Sequence, residues 1–303
     1  PRYNMPSSNI VIRELDKINS NLKHNSYYVV NFVEEADLAG YDNLKEEWYV
    51  HRKGSDPTNP ANRLKALGGQ DLLDVTKTEF QLHMATGVAK AMQDNQLDWL
   101  LVDGSGGSIY RPQLLNNESQ SAYPDHFSPQ SFFAGTLQTL GIIKSKINPL
   151  GKEIIFNPIQ PDAIDDNRIA QVRQYLEVTD GAYWENPFRT SNRDYFAQTN
   201  GVDYYYDQLQ KFFDVAADMN KKLIIESDTV IDLRQLYPNY CAALFVCEYQ
   251  KMLDEKGYYE VLKYEQKIQK RHLAFYLLYL TDPQTNIYSH YTLAEPVSYE
   301  TSE

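Results

Sequence analysis

The sequence predicts an α/β fold of the TIM type, a (β/α)8 barrel that is incomplete or lacks its first two strands in this chain. Short apolar runs alternate with helical segments along the 303 residues, which is typical of a parallel sheet. Two of these runs end in a carboxylate, at Asp103 and at Glu185. Only six strands are recognisable, near residues 29, 101, 155, 182, 224 and 287, where a full barrel needs eight.

The elements follow in a regular order within one predicted domain, 1–303, which carries long loops at about 37–70 and 104–128. Strands are predicted at 27–33, 97–103, 152–157, 181–185, 221–226 and 285–290. Helices are predicted at 8–21, 77–95, 129–148, 166–177, 202–220, 237–255 and 258–279, with Thr76 as an N-cap. Cys241 and Cys247 then stand six apart on one helix, which rises about 9 Å between them, so we expect no disulfide.

Composition excludes some partners. The net charge of −12 argues against nucleic acid, which needs a basic face. The chain has no run of about 18 apolar residues, so no membrane span is expected. The oligomeric state is left open, and so is the compartment, with a slight preference for an extracellular or cell-surface location.

A glycoside hydrolase on a (β/α) barrel needs at least two carboxylates, placed at the carboxyl ends of parallel strands. Asp103 precedes the glycine-rich run 104–107, where a substrate can approach the backbone closely. Glu185 stands among aromatic residues, which suits a general acid. The alternatives are a turn-forming role for Asp103 and a plain salt bridge between Glu185 and Arg189.

Further polar and aromatic residues near predicted strand ends or in the first long loop are candidate contacts to a carbohydrate substrate, with packing or capping as the alternative for each. They are Asn31, Trp48, His51, Asn157, Trp184, Arg189, Glu226, Asp228, Tyr288 and His290. The histidines show no metal-ligand spacing, so neither a metal nor another cofactor is expected.

Three segments in order, 47–51, 72–76 and 98–103, resemble glycosyl hydrolase-like family 15, whose members are (β/α) barrels related to α-galactosidase and polygalactosaminidase-type enzymes. Tyr183-Trp184-Glu185 is similar to the family's aromatic-Glu strand end, and 286–290 to a late strand. The resemblance spans roughly 27–291 and implies that Asp103 is the nucleophile and Glu185 the acid/base of a retaining reaction. The chain departs from the family in carrying Gly104 where a second acidic residue often stands.

The sequence therefore favours a glycoside hydrolase that acts on a polysaccharide or oligosaccharide by a two-carboxylate mechanism. The first alternative is a non-catalytic carbohydrate-binding or structural protein on a degenerate barrel, which the two missing strands favour. The second is an unrelated α/β-barrel enzyme such as a lyase or a phosphate-ester enzyme. That alternative predicts a phosphate cradle after the last two strands, and no glycine-rich loop stands there.

Overall fold

The computed structural model describes residues 17, 23–31, 43–65, 70–103, 120–157, 166–185, 187–188, 202–228, 241–243, 246–247, 254–280 and 286–291. The strands are β1 (Asn25–Val29), β2 (Trp99–Asp103), β3 (Glu153–Phe156), β4 (Gly181–Glu185), β5 (Lys222–Asp228), β6 (Cys241–Ala243), β7 (Val246–Cys247) and β8 (Asn286–Tyr291). The α-helices are α1 (Thr78–Asp94), α2 (Pro129–Ile147), α3 (Asp166–Val178), α4 (Val202–Asp218) and α5 (Tyr258–Tyr279). Short 3-10 helices lie at Glu46–Trp48, Pro60–Asn62, Gln120–Ala122 and Asn148–Leu150.

Six strands form one sheet in the order β1-β2-β3-β4-β5-β8. The recorded pairings β1–β2, β2–β3, β3–β4 and β5–β8 are all parallel. Parallel neighbours joined through helices confirm the predicted fold class, an incomplete (β/α) barrel with six of the eight strands among the described residues.

The chain divides into two compact units, one of Pro1–Pro158 with Gln171–Ala182 and one of Ile159–Ala170 with Tyr183–Glu303. The boundary runs through α3 and through β4, so each unit holds part of both elements. The single domain predicted from the sequence stays a prediction.

In the first unit the two faces of the sheet have different surroundings. The hydroxyl of Tyr28 reaches the sulfur of Met84 on α1, and the ring of Phe156 packs against Tyr175 of α3. Tyr28 is in register with Val102, and Val102 with Phe156, so these residues share the face covered by helices. Because side chains alternate along a strand, the residues between them lie on the opposite face.

The same alternation holds in the second unit. The fully buried ring of Trp184 meets Phe212 of α4 edge-on, with ring centroids 4.4 Å apart. The ring of Tyr288 on β8 packs against Tyr276 of α5 at 5.0 Å. Both residues therefore lie on the helix-covered side of their strands.

Two sequence predictions are wrong. Thr76 is not the N-cap of α1, because that helix begins at Thr78 and Lys77 is its N-cap residue. The predicted helix 237–255 is wrong as well, since β6 and β7 pair antiparallel within it, with Cys241 and Cys247 as register partners. Residues opposite each other in such a pair have Cα atoms about 4.5–5.5 Å apart, which a disulfide can span, so the helical argument against one does not hold.

The predicted helix 8–21 lies outside the described residues except for Lys17. Among the helices that the structure describes, none is long and apolar enough to cross a bilayer.

Candidate active site

Asp103 ends β2 on the face of the first unit's sheet opposite to the one that packs against α1 and α3. Its register partner is Val29, and the hydroxyl of Tyr27, two residues earlier on β1, donates a hydrogen bond of 2.6 Å to Asp103 Oδ2. The side chain of Asp103 is partly exposed. A carboxylate at the carboxyl end of a parallel strand, held by a neighbouring hydroxyl and reachable from solvent, is placed for contact with a substrate.

Asn157 stands beside Asp103 at the same edge. Its backbone N–H donates to the carbonyl of Val102 at 2.7 Å, which continues the β2–β3 register by one residue. Asn157 therefore lies at the same level and on the same face of the sheet as Asp103. Its Oδ1 atom is buried and accepts no hydrogen bond from the described residues. A buried amide oxygen without a donor costs about 1–3 kcal/mol, so a ligand hydroxyl there would be stabilising.

The long loop between β1 and α1 folds back on the same edge. Its backbone makes isolated antiparallel bridges at Tyr49–Leu73, His51–Arg63 and Lys65–Asp71. The N–H of Leu73 donates to the carbonyl of Asn31, which follows β1, at 2.9 Å. The residue after Leu73 is Asp74, so this loop carries a second carboxylate toward the carboxyl edge of β1.

Ion pairs hold the loop together. The guanidinium of Arg63 donates to both carboxylate oxygens of Glu46, and its Nη1 reaches Asp71 Oδ2 at 2.9 Å. Lys65 also pairs with Asp71. The hydrogen bonds from Arg63 are the main reason that the pKa of Glu46 is lowered, while the carboxylate of Glu46 raises the pKa of Arg63. The guanidinium also lies 3.7 Å from the ring centroid of Tyr49, whose pKa burial raises.

Asp74 and His126 form a hydrogen-bonded pair. The carboxylate of Asp74 is 1% exposed, and its Oδ1 accepts bonds from the N–H and the hydroxyl of Thr76 at 3.1 and 2.5 Å. Its Oδ2 lies 2.7 Å from Nε2 of His126. With the carboxylate ionised, Asp74 only accepts, and the hydrogen of this bond is then on Nε2 of the imidazole. The side chain of His126 is 49% exposed, so the pair links a buried anion to a solvent-facing ring.

The start of α2 fixes the backbone at His126. Ser128 and Ser131 form a reciprocal capping box, with Pro129 in the first turn of the helix. The hydroxyl of Ser131 also donates to the carbonyl of His126 at 2.8 Å. The histidine therefore stands on a turn that the helix end holds in place.

A cavity of about 440 Å³, here called the loop pocket, lies within the first unit, bounded by residues from 47–57, by Asp74 and Lys77, and by 124–126. The Asp74–His126 pair lines it, and so does Tyr49. The remaining charged residues of its wall are Glu47, Arg52, Lys53 and Asp125. Its volume falls in the range of about 300–1,000 Å³ that small-molecule sites occupy.

Two predicted substrate contacts in this loop are used for packing instead. Trp48 is 5% exposed, and its ring lies against Phe80 and His83 with centroids 6.1 and 4.9 Å away. A ring buried in this way presents little surface to a sugar. His51 is 8% exposed, and its two nitrogens face Glu46 Oε1 at 2.8 Å and the carbonyl of Tyr49 at 3.0 Å. His51 lines the loop pocket, but its ring nitrogens are engaged in the fold.

Because side chains alternate along a strand, the other predicted contacts do not all lie on the same face of the sheet. Asn31 is 2% exposed and meets the loop through its backbone carbonyl. Trp184 and Tyr288 pack against helices, which gives both a role in the core. Tyr288 is the register partner of Ile225, so Glu226, one residue later on β5 and partly exposed, lies on the other face of the sheet. Glu226 and Tyr288 therefore do not share a surface.

For four of the predicted site residues, the side chain lies outside what the structure describes. Arg189 lies outside the described residues. Glu185, Asp228 and His290 belong to described strands, but their side chains lie outside the described part. The roles predicted for these four residues stay predictions.

Sequence reasoning missed the Asp74–His126 pair and the role of Tyr27. In the sequence, Asp74 lies in a segment that resembles the family and leads into the predicted helix 77–95. No sequence signal connects it to His126, which is 52 positions away. In the part of the chain that the structure describes, no group of three histidine, cysteine or acidic side chains is placed to hold a metal ion.

Comparison with known proteins gives a likeness in three-dimensional structure. No family model matches the chain, and no curated protein sequence does. The structure is similar to a cycloisomaltooligosaccharide glucanotransferase from Paenibacillus sp., with 17% identity over 74% of this chain and a TM-score of 0.48. The chain spans only 28% of that protein's length.

Two further neighbours are glycoside hydrolases. The glycoside hydrolase domain of PelA from Pseudomonas aeruginosa is 9% identical, over 75% of each chain, with a TM-score of 0.43. An α-amylase from Malbranchea cinnamomea is 12% identical, over 74% of this chain and 42% of its own, also at 0.43. These identities and TM-scores carry no conclusion about the activity of this chain, and the resemblance to glycosyl hydrolase-like family 15 stays a prediction.

Proposed function

We propose that this protein is a glycoside hydrolase that acts on a polysaccharide or oligosaccharide through Asp103 and Glu185. The observation that carries the proposal is the position of Asp103. It stands at the carboxyl end of a parallel strand, partly exposed, on the face opposite to the one that packs against α1 and α3, with a tyrosine hydroxyl on one carboxylate oxygen. Active sites of (β/α) barrels are built at this edge of the sheet.

Asp103 is the nucleophile or charge stabiliser in this proposal. In the retaining form its carboxylate bonds to the anomeric carbon as the leaving oxygen takes a proton from Glu185. Water then gives a proton to Glu185 and its oxygen to the sugar, which releases Asp103. The hydroxyl of Tyr27 orients the carboxylate for attack, and the amide of Asn157 offers a polar contact to a sugar hydroxyl.

Glu185 is proposed as the acid/base because it is the last residue of β4 and directly follows Trp184, which faces the helices. A carboxyl separation of about 5–5.5 Å would give retention of configuration, and one of about 6.5–9.5 Å would give inversion.

The test is hydrolysis of a panel of neutral and charged glycans by the wild type and by Asp103→Asn and Glu185→Gln. We expect each variant to lose activity by a factor on the order of 10³ or more while its thermal unfolding is unchanged. Asp94→Asn is the matched control, because Asp94 forms an exposed ion pair with Lys90 on α1 and should be fully active. Activity of either variant close to that of the wild type would contradict the assignment of that residue.

The second candidate is a non-catalytic carbohydrate-binding protein on a degenerate barrel. The observation that favours it is the count of six parallel strands in the described part of the chain, where a full barrel has eight. This alternative predicts that the wild type binds glycans from the same panel but releases no product from any of them.

A further inference from the structure

The loop pocket is lined by charged and polar side chains that do not include Asp103. Its wall carries three acidic and three basic side chains, Glu47, Asp74, Asp125, Arg52, Lys53 and Lys77. Lys53 pairs with Asp125 within it. The formal charges cancel, so the wall favours neither an anion such as phosphate nor a cation.

The pocket instead offers many hydrogen-bonding groups next to an aromatic ring. Tyr49 is half-buried, and the guanidinium of Arg63 lies over its ring, which fixes its orientation. Carboxylates, ammonium groups and imidazoles line the same pocket. A ligand that carries many hydroxyls and no net charge, and that has C–H faces to stack on a ring, matches such a wall. A neutral sugar has these properties.

The Asp74–His126 pair places a hydrogen-bonding imidazole in a fixed position on this wall. In the neutral imidazole, donation from Nε2 of His126 to the buried carboxylate leaves Nδ1 as a hydrogen-bond acceptor. Among the described residues no donor reaches Nδ1, and the ring is half-exposed at the pocket. The two bonds from Thr76 hold the carboxylate, and the bond from Ser131 holds the backbone of His126. The acceptor is therefore positioned before any ligand arrives.

We propose that the loop pocket binds a neutral oligosaccharide and that His126, oriented by Asp74, accepts a hydrogen bond from a sugar hydroxyl. The proposal rests on the proposed function in one respect, that the sugar bound is part of the substrate. The loop pocket is then a subsite that holds the glycan away from the bond that is cut. The Leu73–Asn31 hydrogen bond connects the loop that carries Asp74 to the carboxyl end of β1.

The first experiment measures binding in the Asp103→Asn background, so that the glycan is not consumed. An array of neutral gluco-, galacto-, manno- and xylo-oligosaccharides is used, with oligogalacturonate and oligoglucosamine as charged comparisons. We expect a neutral glycan to bind best, and His126→Gln to weaken its affinity, measured by calorimetry, about tenfold or more. His24→Gln is the control, because His24 precedes β1 at the opposite edge of the sheet.

A second measurement does not depend on a variant that folds. In the NMR spectrum of the unsubstituted chain, the ring C–H signals of His126 should shift on addition of the neutral glycan, and those of His24 should not. The inference is wrong if no neutral glycan binds, if a charged glycan binds better, or if His126→Gln binds as tightly as its parent.

These outcomes separate the inference from the proposed function. If the wild type hydrolyses a glycan and His126→Gln leaves the KM unchanged, the subsite is wrong while the proposed function stands. If the wild type hydrolyses nothing but binds a neutral glycan through His126, the subsite stands and the proposed function fails.

Discussion

Two aspartates of the first unit, Asp103 and Asp74, each follow a short apolar run, yet the fold uses them differently. Asp103 ends a strand of the sheet, is partly exposed and takes a hydrogen bond from the hydroxyl of Tyr27. Asp74 is buried in a loop, takes two bonds from Thr76 and holds His126. An exposed carboxylate at a strand end can react with a ligand, whereas a buried carboxylate positions a second group that does the contacting.

Tyr27→Phe tests the group that orients Asp103. The variant removes the hydroxyl that orients Asp103, and a hydrogen bond to a charged group at a partly exposed position is worth about 1–2 kcal/mol. We expect kcat to fall about tenfold with little change in KM. Tyr28→Phe is the control, because Tyr28 is the next residue of β1 and faces α1. Equal kcat values for the two variants would show that Tyr27 does not act on Asp103.

Substitution of Gly135, which lies against the turn after Asp74, tests the role of that turn. A Cβ atom at Gly135 of α2 would lie 2.5 Å from the carbonyl oxygen of Val75, so alanine there must push the backbone that joins Asp74 to Thr76. We expect Gly135→Ala to lower the free energy of unfolding by about 1–3 kcal/mol and to weaken glycan binding.

The control for this variant is Gly141→Ala on the same helix, where the nearest atom to the new Cβ is a methyl carbon of Val178 at 3.8 Å. Alanine in a helix is favoured over glycine by up to about 1 kcal/mol, so this variant should be as stable as the wild type or more so. Chemical denaturation of both variants measures the difference. A Gly135→Ala protein as stable as Gly141→Ala would mean that α2 does not fix the Asp74 turn.

Arg63→Met tests the ion pairs that hold the loop between β1 and α1 together. Arg63→Met leaves the partly buried carboxylates of Glu46 and Asp71 without their guanidinium, and we expect a loss of about 1–2 kcal/mol near neutral pH. The pKa of Glu46 is lowered in the folded protein, so its contribution to stability is complete above its ordinary pKa and is lost as the pH falls through the lowered value.

The stability difference between the wild type and Arg63→Met should therefore shrink in acid. Thermal unfolding followed from pH 7 down to pH 3 measures this difference at each pH. Lys90→Met, which breaks an exposed pair on α1, is the control and should change stability little at any pH. A difference that stays constant with pH would contradict the role given to Glu46.

The sequence predicted the fold class because the alternation of apolar runs and helical segments is a local pattern. It can be read without knowing which distant parts of the chain are in contact. The sequence also indicated Asp103, since a carboxylate at the end of a buried strand is a local pattern. It failed at 237–255, where the apolar spacing suited a helix but β6 and β7 pair instead. Trp48 is buried against Phe80, and no local sequence pattern reveals this packing contact. The sequence alone therefore predicted Trp48 at a sugar site.

The Asp74–His126 pair shows the same limit in another form. The two residues lie in different loops, and the bridges and caps that bring them together are long-range contacts. A sequence pattern can mark a residue type at a strand end, but it does not give the partner of a loop residue.

The most direct test of this division of roles is one set of steady-state kinetics on Asp103→Asn and His126→Gln, with the best neutral glycan as substrate. We predict that the first variant loses kcat while binding the glycan as the wild type does, and that the second keeps kcat while its KM rises about tenfold. A loss of kcat in His126→Gln, or full turnover by Asp103→Asn, would contradict the assignment of chemistry to the strand edge and of binding to the loop pocket.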